Sequence, residues 1–200
     1  FQTPTQARDL VVGIGGDIET FDVCCANFIQ SHHLLYAVYE PTVIYPTIEV
    51  AGGALVGDPA GVVGTIFESW EASNDGLAYT IKIRQGLTLQ NGTPINAELV
   101  RYTIDRNLNT PGGGAWLLKN IAFVTKPPEV IDEYTIRLVG DAASPMIMSQ
   151  FYMTSSAMLD PAIVKEHATD DDPWAKEWMG RNVAGGSGPY KIVSHIPDQE

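Results

Sequence analysis

Basic residues are scarce in this chain: twelve lysines and arginines stand against 24 aspartates and glutamates, a formal net charge of -12 over 200 residues. That balance excludes nucleic acid as a partner, because binding a polyanion requires clustered Lys and Arg to displace its counterions. Anionic membrane surfaces are disfavoured for the same reason. Long apolar runs are missing too. No stretch approaches the roughly 18 consecutive apolar residues that a membrane-spanning helix requires. Residues 1–8 are polar and lack a basic start followed by an apolar segment, so no leader peptide is expected in them. Phosphate-binding loops are absent as well: Gly112-Gly113-Gly114 carries neither the lysine nor the hydroxyl, and Gly13, Gly15 and Gly16 lack the third glycine of a dinucleotide loop. Gly186-Ser187-Gly188 has the wrong spacing for a nucleophile elbow and runs straight into Pro189. Asp170-Asp171-Asp172 reads as a solvated loop and helix cap, since calcium needs oxygen ligands at alternating positions. There is no internal repeat and no low-complexity tract.

What is present is a globular composition, 44% hydrophobic and 18% charged, enough to bury a core in one domain or a domain with a subdomain. The most patterned stretch is residues 69–100. Leu77, Tyr79, Ile81 and Ile83 alternate with Ala78, Thr80, Lys82 and Arg84, the period of a half-buried strand. Asp75-Gly76, Gln85-Gly86 and Asn91-Gly92 supply turn positions that tolerate positive φ. Asn96 is an N-cap, and Val100, Ile104 and Leu108 form the apolar stripe of the helix that follows.

Elsewhere the chain reads as α/β with mixed strands. Leu10–Ile14 is a short apolar run expected to begin a buried sheet, and Tyr190–Ile196 is expected to return to it. Phe28, Leu34, Leu35 and Val38 suggest a helix that stops before Pro41. Residues 51–64 are glycine-rich and read as a loop or irregular hairpin. Residues 121–124, 129–131 and 134–139 read as paired strands around Asp132-Glu133. Met146–Met158 reads as a helix. Asp160-Pro161 and Asp172-Pro173 each have the cap-then-proline order that opens one.

Several blocks carry a resemblance. Glu68-Ser69-Trp70-Glu71, Asp75-Gly76-Leu77, Tyr79-Thr80, Arg84, Gly86, Asn91-Gly92-Thr93-Pro94 and Ala97-Glu98 resemble the family 5 extracellular solute-binding proteins of ABC transporters, the dipeptide, oligopeptide and nickel receptors. Residues 132–138 look like that family's hairpin before its central helix. Gly186-Ser187-Gly188-Pro189-Tyr190-Lys191 looks like its glycine-threonine-glycine-proline-tyrosine segment, and Thr20-Phe21-Asp22 sits where it has threonine-leucine-aspartate-proline. Val23 replaces that proline, Ser187 the threonine, and Leu99 an acidic residue at the helix start.

The resemblance implies an α/β fold, a type II periplasmic-binding-protein-like lobe with a mixed β-sheet and an inserted hairpin and helix subdomain. In those terms residues 1–66 begin the first lobe, 67–184 are the insertion, 185–200 are its return strand, and a second lobe is absent from this chain. The implied activity is non-enzymatic and uses no cofactor or metal: capture of a small solute, a peptide or similar polar molecule, for delivery to ABC permease subunits. The implied location is periplasmic or extracellular, with a removed leader, an optional lipid anchor, and contact with the membrane only through the permease. By position, Thr20, Phe21 and Asp22 in the first loop and Trp116 after the glycines are the implied ligand-binding residues.

One cluster stands outside that resemblance. Cys24, Cys25, His32 and His33 share one segment. Zinc fits poorly, because adjacent cysteines and adjacent histidines cannot all point inward and the spacing matches no common finger. A Cys/His hydrolase using Cys24 or Cys25, and nickel or haem capture through His32 and His33, stay open as alternatives. The favoured reading is a buried small-residue turn before a helix with one polar and one semi-buried histidine.

Overall fold

The alternating residues at 77–84 sit at the centre of the sheet that organises the molecule. The computed structural model describes residues 12–58 and 61–196. In chain order, helix α1 (Ile29–Val38) is followed by four short strands, β1 (Val43–Ile44), β2 (Thr47–Glu49), β3 (Leu55–Gly57) and β4 (Val63–Gly64). The hairpin of β5 (Phe67–Ala72) and β6 (Ala78–Ile83) comes next, then helices α2 (Ala97–Asn109) and α3 (Gly113–Asn120). A second hairpin, β7 (Glu129–Asp132) and β8 (Thr135–Val139), and the short helices α4 (Pro161–Glu166) and α5 (Lys176–Met179) complete the order. The main sheet runs β5-β6-β8-β7, with β1 paired to β4 and β2 to β3 in separate ribbons. The pairings described are all antiparallel.

One face of the sheet is apolar for the reason the alternation gives. Phe67, Ile81, Ile83, Ile136 and Leu138 are buried and meet Val100, Ile104 and Leu108 from α2 in the larger core. Gly76, Gly86 and Gly92 take φ of +69°, +78° and +90°, so the turns between these elements use the left-handed region that glycine enters without a Cβ clash. Asn96 caps α2 by accepting from the Leu99 N–H at 3.0 Å. A second core gathers Val23, Ala26, Leu35, Val38, Tyr39, Ala157, Leu159, Val164, Met179 and Ala184, with Tyr102 of α2 packed against it. It draws on the first loop, α1, α4 and α5 together.

Several expectations are corrected. Leu10 and Val11 lie outside the described residues, and 12–14 form no strand. Tyr190–Ile196 is not a strand either, because its approach is spent elsewhere. Gly188 N–H donates to the Val38 carbonyl and Tyr190 N–H to that of Ala37, Gln90 Nε2 donates to the Gly188 and Tyr190 carbonyls, and Pro189 has no N–H to offer. Residues 121–124 close α3 instead of forming a strand: Ala122 and Val124 N–H groups take the Leu117 and Leu118 carbonyls, and Phe123 turns at φ 55°. Met146–Met158 contains two 3-10 turns, Ser149–Tyr152 and Thr154–Ser156, rather than one α-helix. Met153 is extended between them, and the hydroxyls compete with the helix ladder, as when Ser156 Oγ donates to the Gln150 carbonyl. Asp172-Pro173 does not open a helix: α5 starts only at Lys176, its N-cap is Ala175 at φ 50°, and Asp172 Oδ2 reaches its first turn by accepting from the Glu177 N–H. Gly113 and Gly114 belong to α3 and not to a flexible loop.

Two polar ties hold these layers together. Asp160 caps α4 through Ala162 N–H at 2.8 Å and accepts from Asn91 Nδ2 at 2.7 Å and Thr93 Oγ1 at 2.6 Å, fastening the Asn91-Gly92 turn to the helix. In the second tie, Arg106 on α2 and Asp22 in the first loop are both about 1% exposed. Arg106 Nη1 and Nη2 donate to Asp22 Oδ1 at 2.9 Å and Oδ2 at 2.7 Å, and Nε donates to the Trp174 carbonyl at 3.0 Å.

Each tie generates a test. Burial opposes ionisation of Asp160, but the hydrogen bonds from Thr93, Asn91 and two backbone N–H groups outweigh it and leave the pKa below the ordinary carboxylate value. A depressed folded pKa stabilises above the unfolded value, about 3.9, and the contribution disappears as pH falls through the folded one. Asp160→Asn therefore loses about 1–2 kcal/mol at pH 7, and urea denaturation at descending pH shows the gap to wild type closing in acid. Arg106→Met leaves a buried carboxylate unpaired and costs about 3–5 kcal/mol. Adding Asp22→Asn recovers a large part of that loss by the same assay.

Candidate functional site

The first loop is shaped from within. Phe21 N–H donates to the Gly180 carbonyl at 3.1 Å, Asp22 N–H to Thr20 Oγ1 at 3.0 Å, and the Asp22 carbonyl accepts from Cys25 and Ala26 N–H groups at 3.1 and 3.2 Å. Thr20, Phe21 and Asp22 are thus occupied in holding the turn, with Phe21 and Asp22 buried and Thr20 half-buried. Asp22 has both carboxylate oxygens taken by Arg106, and Oδ1 also accepts from Cys24 N–H at 3.3 Å. The guanidinium's own pKa shifts upward because Asp22 outweighs the opposing effect of burial.

Trp116 is placed differently. It lies one turn into α3 and is 57% exposed, unusual for the largest apolar side chain. The glycines before it explain its position. A Cβ at Gly112 would come within 2.6 Å of the Cys24 carbonyl and 3.0 Å of Cys25 Sγ, so only glycine lets α3 start against the first loop. Gly114 N–H then donates to the Cys24 carbonyl at 3.1 Å. Between the loop and the helix lies a cavity of about 240 Å³ walled by Val23, Cys24, His32, Trp116, Leu117 and Met153. It is open and mostly apolar, with the indole at its rim. Of the four positions implied by resemblance, Trp116 alone lines this cavity, while Phe21 borders a different hollow.

The cysteine and histidine segment resolves as a turn followed by α1. Cys24 is buried, Cys25 partly so, and their sulfurs are 2.7 Å apart as free thiols. His32 is half-buried and shares a hydrogen bond between Nδ1 and Thr154 Oγ1 at 2.8 Å, while His33 is exposed. Burial, only partly offset by the Ala26 backbone and Glu19, lowers the His32 pKa and favours the neutral ring. The thiols bond to each other and to the Pro111 carbonyl, and the imidazole bonds to a threonine, so these contacts contain no thiol-imidazole pair of the kind a hydrolase uses.

The second hollow escapes sequence reasoning. Phe21, Arg181, Val183, Ile192, Val193 and His195 line about 310 Å³ of open space. His195 Nε2 lies 2.9 Å from Asp17 Oδ1, and the Phe21 ring meets the imidazole edge-on at 5.1 Å. Arg181 carries no motif and His195 falls in the segment read as a strand, so only the folded chain brings them to Phe21.

Known proteins place this geometry in a lineage. The chain is 27% identical over 191 residues to the probable D,D-dipeptide-binding periplasmic protein DdpA of Escherichia coli K12, covering 96% of this chain and 34% of that one. It is 26% identical over 189 residues to the glutathione-binding protein GsiB of Shigella boydii, covering 93% and 32%. The chain therefore spans about a third of the length of the curated relatives it matches. Its fold is similar to that of the ABC transporter-associated periplasmic binding protein DppA from Helicobacter pylori in complex with peptide STSA, with a TM-score of 0.70 at 19% identity over 92% of this chain and 36% of that one. The α/β lobe is thus of the periplasmic-binding-protein type. The model of the bacterial extracellular solute-binding proteins, family 5 Middle, matches residues 61–200, well over half the sequence, and the chain belongs to that family.

Proposed function

We propose that this chain is part of the substrate-binding component of an ABC importer, which captures a small solute, a peptide or similar polar molecule, outside the membrane and delivers it to the permease. The observation that carries the reading is the exposed indole of Trp116 at the rim of an apolar cavity, held by a first loop whose polar groups are already satisfied internally. Such a wall offers apolar contact and few free charges, which suits one side of a cleft that closes on its ligand. The similarity to dipeptide- and glutathione-binding relatives supports a peptide-like solute. In this reading residues 1–66, 67–184 and 185–200 are parts of one lobe, and a second lobe supplies the opposite wall and the groups that fix the ligand's charged ends. Thr20, Phe21 and Asp22 act by shaping the loop, and Trp116 touches the ligand. The protein works in the periplasm or outside the cell, and a lipid anchor is one way of keeping it there.

The other readings gain no specific support. A hydrolase on Cys24 or Cys25 would require the imidazole that Thr154 engages. Capture of nickel or haem by His32 and His33 would require neighbouring helix positions to converge, and adjacent side chains on a helix diverge.

Calorimetric titration of the full-length protein with short peptides tests the reading. Saturable binding is expected, and Trp116→Ala should weaken it about tenfold, the order of an aromatic contact of 1–1.5 kcal/mol. Failure of peptides and other polar solutes to bind at millimolar concentration would overturn the proposal. Unchanged affinity in Trp116→Ala would move the contact elsewhere on the wall.

A further inference from the structure

The two thiols of the first loop are unused by the binding reading, and their setting is specific. Cys24 Sγ and Cys25 Sγ are 2.7 Å apart, Cys24 lines the Trp116 cavity, and Cys25 is partly exposed on the other side of the turn. Two cations flank the pair. Arg106 Nη1 is 3.8 Å from Cys24 Sγ, and Lys176 Nζ donates to the same Pro111 carbonyl, at 2.9 Å, that Cys25 Sγ contacts at 3.6 Å. A thiolate at Cys25 would therefore form beside an ammonium group and in contact with a neighbouring S–H donor.

A metal is the competing idea, since Asp22, Cys24 and Cys25 bring their donor atoms within 4.8 Å of one another. Asp22 cannot serve it, because both carboxylate oxygens are committed to Arg106, and the buried guanidinium would face any cation placed there. The same positive charges that repel a metal stabilise a thiolate.

We propose that Cys24 and Cys25 form a dithiol exchange site, in which Cys25 attacks an organic disulfide and Cys24 resolves the product to a disulfide between the two adjacent residues. In the first step the Cys25 thiolate, its proton given to solvent, bonds to one sulfur of R–S–S–R and expels RS⁻, which takes up a proton. In the second, the Cys24 thiol loses its proton, its sulfur bonds to Cys25 Sγ, and the second RS⁻ leaves and is protonated. The pair is oxidised by two electrons and one R–S–S–R becomes two R–SH. The division of roles follows the environments. The hydrogen bond from Cys24, with Lys176 and Arg106, holds the Cys25 thiol below its ordinary pKa against burial and Asp22. Cys24 is pushed up first by that same hydrogen bond, then by burial and Asp22. Once Cys25 is bonded to R–S that hydrogen bond is gone; burial and Asp22 still hold the Cys24 thiol up against the smaller effect of Arg106, so resolution is the slower of the two steps.

The ring closed by adjacent cysteines is small and strained, and strained disulfides are the readily reduced ones, so the site exchanges rather than staples. The pair sits against Pro111, whose carbonyl Cys25 Sγ contacts at 3.6 Å, next to the Gly112 start of α3.

The test exposes the full-length protein to glutathione disulfide and follows intact mass, free thiols and non-reducing peptide maps. Wild type should lose two hydrogens and both thiols, with the bond mapped within the Cys24–Cys25 peptide and reversed by excess reduced thiol. Cys24→Ser should stop at one glutathione adduct on Cys25, while Cys25→Ser should form its adduct at least about tenfold more slowly. In wild type, a peptide map that leaves Cys24 and Cys25 both as free thiols, a stable adduct on Cys24, or a dimer linked through either residue would each overturn the proposal. The wild-type measurement decides even if a variant fails to fold.

Discussion

A single guanidinium holds the loop, the long helix and the C-terminal segments in register. Arg106 is buried on α2 and donates to Asp22 in the first loop and to the Trp174 carbonyl ahead of α5. Burying two opposite charges costs several kcal/mol per ion before any attraction is counted, and the attraction offsets this only when geometry is good and remaining donors are filled. Both conditions are met here: the contact is bidentate, Asp22 also accepts from Cys24 N–H, and the Arg106 Nε has its own carbonyl. What the pair contributes above hydrophobic burial is position. Apolar packing between α2 and the second core tolerates small slips, whereas a forked donor on a forked acceptor does not.

Close backbone approaches depend on that position. Gly112 abuts the Cys24 carbonyl, and Gly186 and Gly188 abut the carbonyls of Val38 and Ala37, so the first loop and α1 are gripped from both sides by residues without a Cβ. The chain's return past Gly188 is therefore fastened to the end of α1 and to Gln90, not to a strand. Trp116 owes its exposure to the same arrangement. Its helix begins where Gly112 meets the loop, which leaves the indole standing at the rim instead of folded into the core.

Much of the framework was legible because it rests on local rules. The glycines at 76, 86 and 92 and the Asn96 cap follow from the chemistry of a few neighbouring residues and are found, and the alternation holds over residues 80–84, whereas Ala78 is buried and Leu77 and Tyr79 are only half-buried. The segment from 146 to 158 was not legible, since an apolar run buried on nearly every side carries no period that separates an α-helix from 3-10 turns. Residues 190–196 misled for a related reason: apolar residues in an extended segment suggest a strand, but pairing depends on a distant partner. At the candidate site the resemblance pointed to Asp22 in the first loop and to Trp116 after the glycines, without indicating that Trp116 stands on a helix. It could not reveal that Asp22 turns inward to an arginine 84 positions away, because charge pairing across such a separation leaves no local trace. Arg181 and His195 were invisible for the same reason.

The first loop has most of its polar groups engaged within the chain, and this limits the chemistry it can offer a bound molecule. A catalytic site keeps some groups unsatisfied or strained so that they can act on a substrate. Here the carboxylate of Asp22 is fully engaged, Thr20 accepts from the backbone, and His32, bonded to Thr154, has its pKa lowered by burial. The groups left facing outward are an indole and a shallow apolar hollow. Such a surface can stabilise a ligand by excluding water from it but cannot by itself orient a charged one. In the proposed receptor, orientation would come from groups facing this wall, which separates the source of affinity from that of specificity. The cysteine pair is the exception within the loop. There a thiol lies 3.8 Å from the Arg106 guanidinium with a second thiol in reach, beside the Gly112 start of α3.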